Sequence, residues 1–113
     1  MSLIYKILPA AEWAQAEAKG VFEGSAVDVA DGFIHFSGGA QARDTAAKWF
    51  RGQLDLVLAA FEADALGPEL KWEPSRGGAL FPHLYAPLPA KLALWVRPLD
   101  LDDDGVPVLG ELI

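Results

Sequence analysis

The strongest constraint on the fold is an apolar run in the middle of the chain. From Leu54 to Phe61, every residue except Asp55 is apolar. A strand that is buried on both faces has this composition, whereas a strand with one face in water alternates apolar and polar residues. The run therefore predicts a central strand that the rest of the chain covers on both sides.

Two helices and several further strands are predicted around this central strand. One helix begins at Pro9 and ends at Lys19, with Gly20 as its C-cap. The other is amphipathic, takes Ser37 or Gly39 as its N-cap, and ends at Gly52. The remaining segments are read as strands at 3–8, 33–36, 70–73 and 92–97, a structured loop at 21–32, an edge strand or ordered loop at 79–88, and a last edge strand at 106–109. This order is typical of an α+β domain with helices set against a mostly antiparallel sheet.

The length and composition fit one domain. The chain has 113 residues, of which 52% are apolar, so it can bury a real core and is not disordered as a whole. We expect a single domain over 1–113, with a core at about 3–98 and an acidic C-terminal extension at 99–113. The chain has no cysteine, which excludes disulfides, thiolate zinc sites and a cysteine nucleophile.

The charge and the hydropathy pattern limit the partners. A formal net charge of −7 opposes binding to a nucleic-acid backbone, although small ligands remain compatible with it. The longest stretch without a charged residue, 77–90, is shorter than the ~18 residues of a membrane helix. The first residues lack the pattern of a secretory signal, so we expect a cytoplasmic protein. Nothing in the sequence predicts an oligomeric state.

Positive charge is concentrated in one segment. Residues 71–97 contain four basic residues and one acidic residue, whereas acidic residues are in excess on both sides. We call residues 71–97 the cationic segment. It favours one alternative function, a non-catalytic domain that recognises a small anion or a protein partner. The other interpretation is that these charges are scattered and only keep the surface soluble.

A histidine and a serine mark the first candidate binding site. In the predicted strand at 33–36, His35 is followed two residues later by Ser37, so both side chains point to the same face. The pair lies just before a predicted helix start and would present an imidazole, a hydroxyl and free backbone N–H groups to a ribose, an amide or a phosphate. The alternative is a core histidine bonded to a backbone carbonyl, with Ser37 only capping the helix.

A second set of candidates lies in the cationic segment. Glu73, at the end of a predicted strand, is the best placed carboxylate, and Arg76 can orient it across a glycine turn or simply pair with it at the surface. Arg76 is also a candidate ligand contact. His83 and Tyr85 repeat the spacing of the first pair. A general acid–base hydrolase built on Glu73, His83 and His35 is a third hypothesis, which the distances between these side chains decide. No ligand spacing in the sequence indicates a metal site.

Several short blocks together resemble one known family, the domain of unknown function 952, over about residues 3–98. Its fold is similar to that of ADP-ribosyltransferases, which hold NAD in a cleft of a split antiparallel sheet. The resemblance therefore implies a compact split sheet with two main helices. The blocks that carry it are Tyr5-Lys6-Ile7, Trp13, Phe22-x-Gly24-Ser25-x-x-Asp28, Asp31-Gly32-Phe33-Ile34-His35-x-Ser37, Gln41, Thr45-Ala46, Trp72-Glu73, Gly78 and Phe81-Pro82-His83-Leu84-Tyr85.

The same resemblance implies roles for individual residues. The segment His35-Phe36-Ser37 looks like the strand motif that holds the ribose and the nicotinamide amide of NAD in several ADP-ribosyltransferases. Tyr85 is then the candidate for stacking on the nicotinamide, and Glu73 for supporting the oxocarbenium-like transition state. If Glu73 does not face His35, the chain is expected to bind a nucleotide without transfer or to use His83 instead. NAD is thus the candidate co-substrate, and ADP-ribosyl transfer the candidate reaction.

Overall fold

Residues 2–112 are described by a computed structural model of the chain, with the exception of the side chain of Arg76. The helices within these residues are α1 (Ala10–Lys19), α2 (Ala26–Asp31) and α3 (Ala42–Trp49), and short 3-10 turns lie at Ala63–Leu66, Arg76–Gly78 and Ala90–Leu92. The strands are β1 (Leu3–Pro9), β2 (Val21–Phe22), β3 (Ile34–His35), β4 (Ser37–Gly38), β5 (Leu56–Glu62), β6 (Leu70–Pro74), β7 (Leu80–Leu84), β8 (Leu88–Pro89), β9 (Trp95–Leu101) and β10 (Pro107–Val108).

The strands form three antiparallel groups. The largest sheet has the order β10-β9-β5-β1-β4, so β5 is its middle strand and pairs along most of its length with β1 and β9. A second sheet has the order β3-β7-β6, and β2 pairs with β8. The prediction of a buried central strand is confirmed, because every residue of β5 from Leu56 to Phe61 is buried. The α+β class with a mostly antiparallel sheet is confirmed as well.

The large sheet has a hydrophobic core on each face. Alternate residues of β1 enter the two cores, with Ile4 and Leu8 on one face and Tyr5 and Ile7 on the other. The first core also contains side chains of α1, β3 and β7, whereas the second contains the alanines of α3. The smaller sheet therefore lies on the same side as α1, and α3 covers the opposite side. None of the helices in residues 2–112 is long and apolar enough to cross a membrane.

The segment 21–32 is not simply a loop, as the sequence had predicted, because it contains β2 and α2. Ser25 precedes α2, and its backbone N–H donates a 2.9 Å hydrogen bond to the carboxylate of Asp28. A serine followed three residues later by an acid is a known helix-start pattern. The helix has only six residues, which is too short for a clear apolar periodicity.

Three further predictions are corrected in the remaining elements. The segment 79–88 contains β7, which is the middle strand of its sheet rather than an edge. Strand β7 tolerates Pro82 in this middle position, because the carbonyl of Pro82 still accepts a hydrogen bond from the backbone N–H of Phe36. The predicted strand at 92–97 begins only at Trp95 and extends to Leu101. Finally, α3 follows Gln41 as its N-cap and ends at Trp49.

Candidate functional site

The pairing of β3 with β7 brings the two histidines of the chain together. His35 and His83 are direct partners in the register, and their ring centroids lie 5.6 Å apart in an edge-to-face arrangement. The ring of Phe33 packs on both of them, with centroid distances of 4.6 Å to His35 and 4.1 Å to His83. Tyr85 lies 5.2 Å from the same phenyl ring. Three of the residues singled out in the sequence therefore share one aromatic cluster.

Glu73 joins this cluster from the neighbouring strand β6. One of its carboxylate oxygens lies 2.8 Å from Nδ1 of His83 and accepts a 2.7 Å hydrogen bond from the hydroxyl of Tyr85. The hydrogen bond from Tyr85 is the main cause of the lowered pKa of Glu73, and the hydrogen bond from His83 lowers it further. The bond between Tyr85 and Glu73 also raises the pKa of Tyr85. The predicted alternative, a surface pair with Arg76, involves a side chain that lies outside the described residues.

His35 contacts two carboxylates of α2. Oδ1 of Asp28 lies 2.6 Å from its Nδ1 nitrogen, and Oδ2 of Asp31 lies 2.9 Å from its Nε2 nitrogen. A carboxylate only accepts hydrogen bonds, and the ring donates to both carboxylates at once only in its imidazolium form. His35 is therefore held between two acids, rather than being a core histidine bonded to a backbone carbonyl.

A buried lysine completes the charged cluster, and the sequence analysis did not identify it. Lys6 of β1 is only 6% exposed; its Nζ lies 3.1 Å from Asp28 and donates a 2.8 Å hydrogen bond to the carbonyl of His35. Burial lowers the pKa of Lys6, although the charge of Asp28 opposes this effect. Burial by itself raises the pKa of Asp28, but hydrogen bonds from His35 and the charge of Lys6 outweigh it and hold that pKa far below its usual value.

Two features of the sequence could have indicated this pair. Lys6 is the one charged residue of the apolar strand β1, and a charge in a buried strand needs a counter-ion. Asp28 occupies the third position of the short helix that begins after Ser25, where a carboxylate is commonly used by the helix start.

A cavity of about 600 Å³ opens onto these side chains. This volume lies within the range of small-molecule sites. Ser37 also lines the cavity, and its hydroxyl lies 3.0 Å from that of Thr45 on α3. Ser37 thus ties β4 to α3 instead of capping the helix. The polar lining includes Lys6, Glu12, Asp28, Asp31, His35, Ser37 and His83, and the apolar lining includes Ile7, Leu8, Phe36, Trp49, Phe50 and Phe81.

Some of the predicted site residues line the cavity and others do not. His35, Ser37 and His83 line it, whereas Glu73 and Tyr85 are not among the described residues of its wall and reach it only through His83. Glu73 is therefore in contact with the histidine cluster but does not itself face the cavity. Its position is that of a residue which orients His83.

None of the three basic side chains that the structure describes in the cationic segment lines this cavity. Lys71 lies on β6, Lys91 lies in a 3-10 turn, and Arg97 lies on β9. Arg97 packs its guanidinium 3.9 Å from the ring centroid of Trp95 and donates hydrogen bonds to the carbonyls of Leu109 and Glu111. Its charge is thus used to hold the C-terminal segment against β9.

Comparison with known proteins places the chain beside a small group of structures. The model of a family described as a protein of unknown function, DUF952, matches residues 7–96. A crystal structure of protein CC0527 from Caulobacter crescentus is 66% identical, with 96% of each chain covered and a TM-score of 0.94. The solution NMR structure of CC0527 has the same identity and a TM-score of 0.87, with 97% of this chain and 95% of that chain covered. No functionally curated protein gave a significant match.

Proposed function

The chain belongs to the DUF952 family of proteins of unknown function, and from the geometry of its site we propose that it binds NAD or a related nucleotide and transfers the ADP-ribosyl group. One observation carries this proposal. Two imidazole rings 5.6 Å apart, each bonded through Nδ1 to a carboxylate, line one cavity of about 600 Å³. Paired acid–base groups of this kind, oriented by carboxylates within a concave site, are typical of catalytic centres.

The cavity has complementary groups for the nicotinamide, the pyrophosphate and a ribose of NAD. The oxidised nicotinamide ring carries a positive charge, which suits the carboxylate of Glu12 in the wall. The pyrophosphate is anionic and suits His35 in its imidazolium form, a role that differs from the ribose and amide contacts that the resemblance implied. The hydroxyl of Ser37 is a donor and an acceptor for a ribose. A ligand with both signs of charge thus fits this cavity better than a simple anion does.

His83 is the group that we assign to proton transfer. Its Nδ1 faces Glu73, whereas none of the described hydrogen bonds, which leave out the side chain of Arg76, involves its Nε2. Glu73 keeps the proton on Nδ1 and leaves a lone pair on Nε2 as the base. His83 then takes the proton of the acceptor as that acceptor bonds to the ribose carbon, and nicotinamide leaves with the electron pair of the broken bond.

This assignment gives Glu73 a different role from the one that the resemblance implied. A carboxylate that supports the oxocarbenium-like transition state has to reach the ribose, whereas Glu73 lies behind His83. We therefore propose that Glu73 and Tyr85 position His83 and that neither touches the ligand. Arg76 stays a candidate contact for the ligand.

Calorimetry and nicotinamide release test this function. We expect NAD and ADP-ribose to bind the wild-type chain and raise its melting temperature, and His35→Ala to abolish both effects. His83→Asn should keep the affinity but lose nicotinamide release, and Glu73→Gln should reduce release by up to about 10⁴-fold, as loss of the carboxylate that orients the histidine does in a serine-protease triad. Glu17→Gln, an exposed glutamate on α1, is the matched control. An unchanged melting curve at millimolar NAD counts against the proposal.

A second candidate function is hydrolysis, with water as the acceptor. The Nε2 nitrogen of His83 favours it, because no described hydrogen bond involves that nitrogen and a water molecule can donate to it. The same His83→Asn variant should then lose activity. The product distinguishes the two functions, since hydrolysis releases free ADP-ribose when no other acceptor is present.

A further inference from the structure

The two carboxylates that hold His35 differ greatly in how firmly they are themselves held. The side chain of Asp28 is 1% exposed, and it also contacts Lys6 and the backbone N–H groups of Ser25 and His35. The side chain of Asp31 is 49% exposed. Among the described contacts, its bond to Nε2 of His35 is its one hydrogen bond. The bond to Asp28 is thus a fixed part of the fold, whereas the bond to Asp31 is easily broken.

The position of Asp31 in its helix further destabilises its carboxylate beside His35. Asp31 is the last residue of α2, and Gly32 follows in the left-handed conformation that ends the helix. The carbonyl end of a helix carries partial negative charge, so a carboxylate there is destabilised by the helix rather than stabilised. Because Asp31 also lines the cavity, its carboxylate can turn into solvent without disturbing the core.

We propose that Asp31 is a built-in competitor, which occupies the Nε2–H donor of His35 until the anionic group of a ligand displaces it. Lys6 and the imidazolium form of His35 face the carboxylates of Asp28 and Asp31, and the carboxylate of Glu12 lies in the same cavity wall. When Asp31 turns away, one negative charge leaves the ring of His35 and its Nε2–H donor becomes free. This inference rests on the proposed function and specifies it, because it assigns the pyrophosphate of the nucleotide to His35.

The competitor makes the site selective for phosphate-bearing ligands. A neutral nucleoside offers no charge to replace the carboxylate on the imidazolium, whereas a phosphate group does. Selectivity is obtained at the cost of affinity, since the apparent affinity falls in proportion to the fraction of molecules in which the donor is free. If Asp31 occupies His35 about nine-tenths of the time, its removal strengthens anion binding about tenfold.

The test compares Asp31→Asn with Asp44→Asn by calorimetry, with ADP-ribose and inorganic pyrophosphate as separate probes. Both variants lose one negative charge, but Asp44 pairs with Lys48 on the exposed face of α3, outside the cavity wall. We expect Asp31→Asn to bind both probes about tenfold more tightly than the wild type does, and Asp44→Asn to bind them as the wild type does. Equal or weaker binding by Asp31→Asn overturns the inference.

The two probes separate this inference from the proposed function. Suppose that pyrophosphate binds Asp31→Asn more tightly than the wild type, but ADP-ribose binds no better than pyrophosphate. The proposal that Asp31 competes with the ligand is then confirmed, and the proposed nucleotide site is wrong. If ADP-ribose binds the wild type and Asp31→Asn equally well, the proposed nucleotide site is confirmed, and the proposal that Asp31 competes with the ligand is wrong. If neither probe binds either protein, both proposals are wrong.

Discussion

The carboxylate of Asp28 holds His35 at two points, since its Oδ1 atom lies 2.6 Å from Nδ1 of the ring and accepts a 3.1 Å hydrogen bond from the backbone N–H of the same residue. The other oxygen faces the ammonium group of Lys6. One buried side chain thereby links α2 to β3 and to β1. The ring that we assign to ligand binding thus depends on an ion pair in the core.

Asp28→Asn should strongly destabilise the fold. The substitution leaves the buried ammonium of Lys6 without its counter-ion, and breaking a buried pair in this way costs about 3–5 kcal/mol. Urea unfolding at pH 7 measures the loss. Asp44→Asn is the matched control, because it breaks an exposed pair with Lys48 and should cost less than about 0.5 kcal/mol. A loss below about 1 kcal/mol for Asp28→Asn would contradict this account of the pair.

The carboxylate of Asp28 should also make the free energy of unfolding fall at low pH. Burial raises the pKa of Asp28, but the hydrogen bonds from His35 and the charge of Lys6 hold it far below the value of the unfolded chain. A lowered pKa in the folded state gives stability that is complete above the unfolded pKa of about 3.9 and is lost progressively as the pH falls from that value towards the folded pKa. The gap in unfolding free energy between wild type and Asp28→Asn should therefore shrink between about pH 5 and pH 3. Denaturation at several pH values measures the gap, and a gap that stays constant would show that Asp28 does not cause the acid sensitivity.

The elements that could be predicted from the sequence were those with a local signal. The unbroken apolar run of β5 predicted its central place, and Pro9 and Gly20 marked both ends of α1. The short helix α2 was missed because six residues give too few turns for an apolar stripe. The middle position of β7 was missed because Pro82 usually marks an edge, and only the pairing with β3 and β6 shows where its hydrogen bonds go.

The candidate site was predictable residue by residue but not in its geometry. His35, Ser37, His83, Tyr85 and Glu73 were identified from spacing and resemblance. That Glu73 meets His83 rather than the cavity depends on the register of β6 against β7, which no local pattern encodes. The ion pair beneath His35 joins residues that are 22 positions apart, so sequence spacing did not reveal it.

Tyr85→Phe should change the acidity of Glu73. The hydroxyl of Tyr85 is the main cause of the lowered pKa of Glu73, so its removal should raise that pKa towards the ordinary value of about 4.3. An NMR titration of the Glu73 carboxyl carbon measures this pKa directly and requires no activity. If nicotinamide release is found, the acid limb of its pH profile should move upwards in the same variant.

Tyr5→Phe is the matched control for this titration. The hydroxyl of Tyr5 donates a 2.8 Å hydrogen bond to the carbonyl of Leu112 on the other face of the large sheet. Its removal should leave the pKa of Glu73 unchanged. The same Glu73 titration curve in wild type and Tyr85→Phe would mean that the hydroxyl does not support the carboxylate in solution.

Gly24→Ala should displace Asp28 and with it the ring of His35. Gly24 has a φ of +115°, which side chains rarely adopt, and a Cβ atom there would lie 2.9 Å from Cβ of Asp28. That atom is next to the helix backbone and cannot move away as the end of a long side chain does. We expect a loss of about 1–3 kcal/mol in unfolding free energy together with weaker ADP-ribose binding.

Gly20→Ala separates the two causes of this loss. Gly20 also has a positive φ, of +94°, but a Cβ atom there would meet nothing within 4 Å. This variant should therefore carry the backbone strain of about 1 kcal/mol without the contact. The NMR signals of the His35 ring should change in Gly24→Ala and stay as in the wild type in Gly20→Ala. Equal losses of stability with an unchanged His35 ring in both variants would show that Gly24 serves only the turn and does not make room for Asp28.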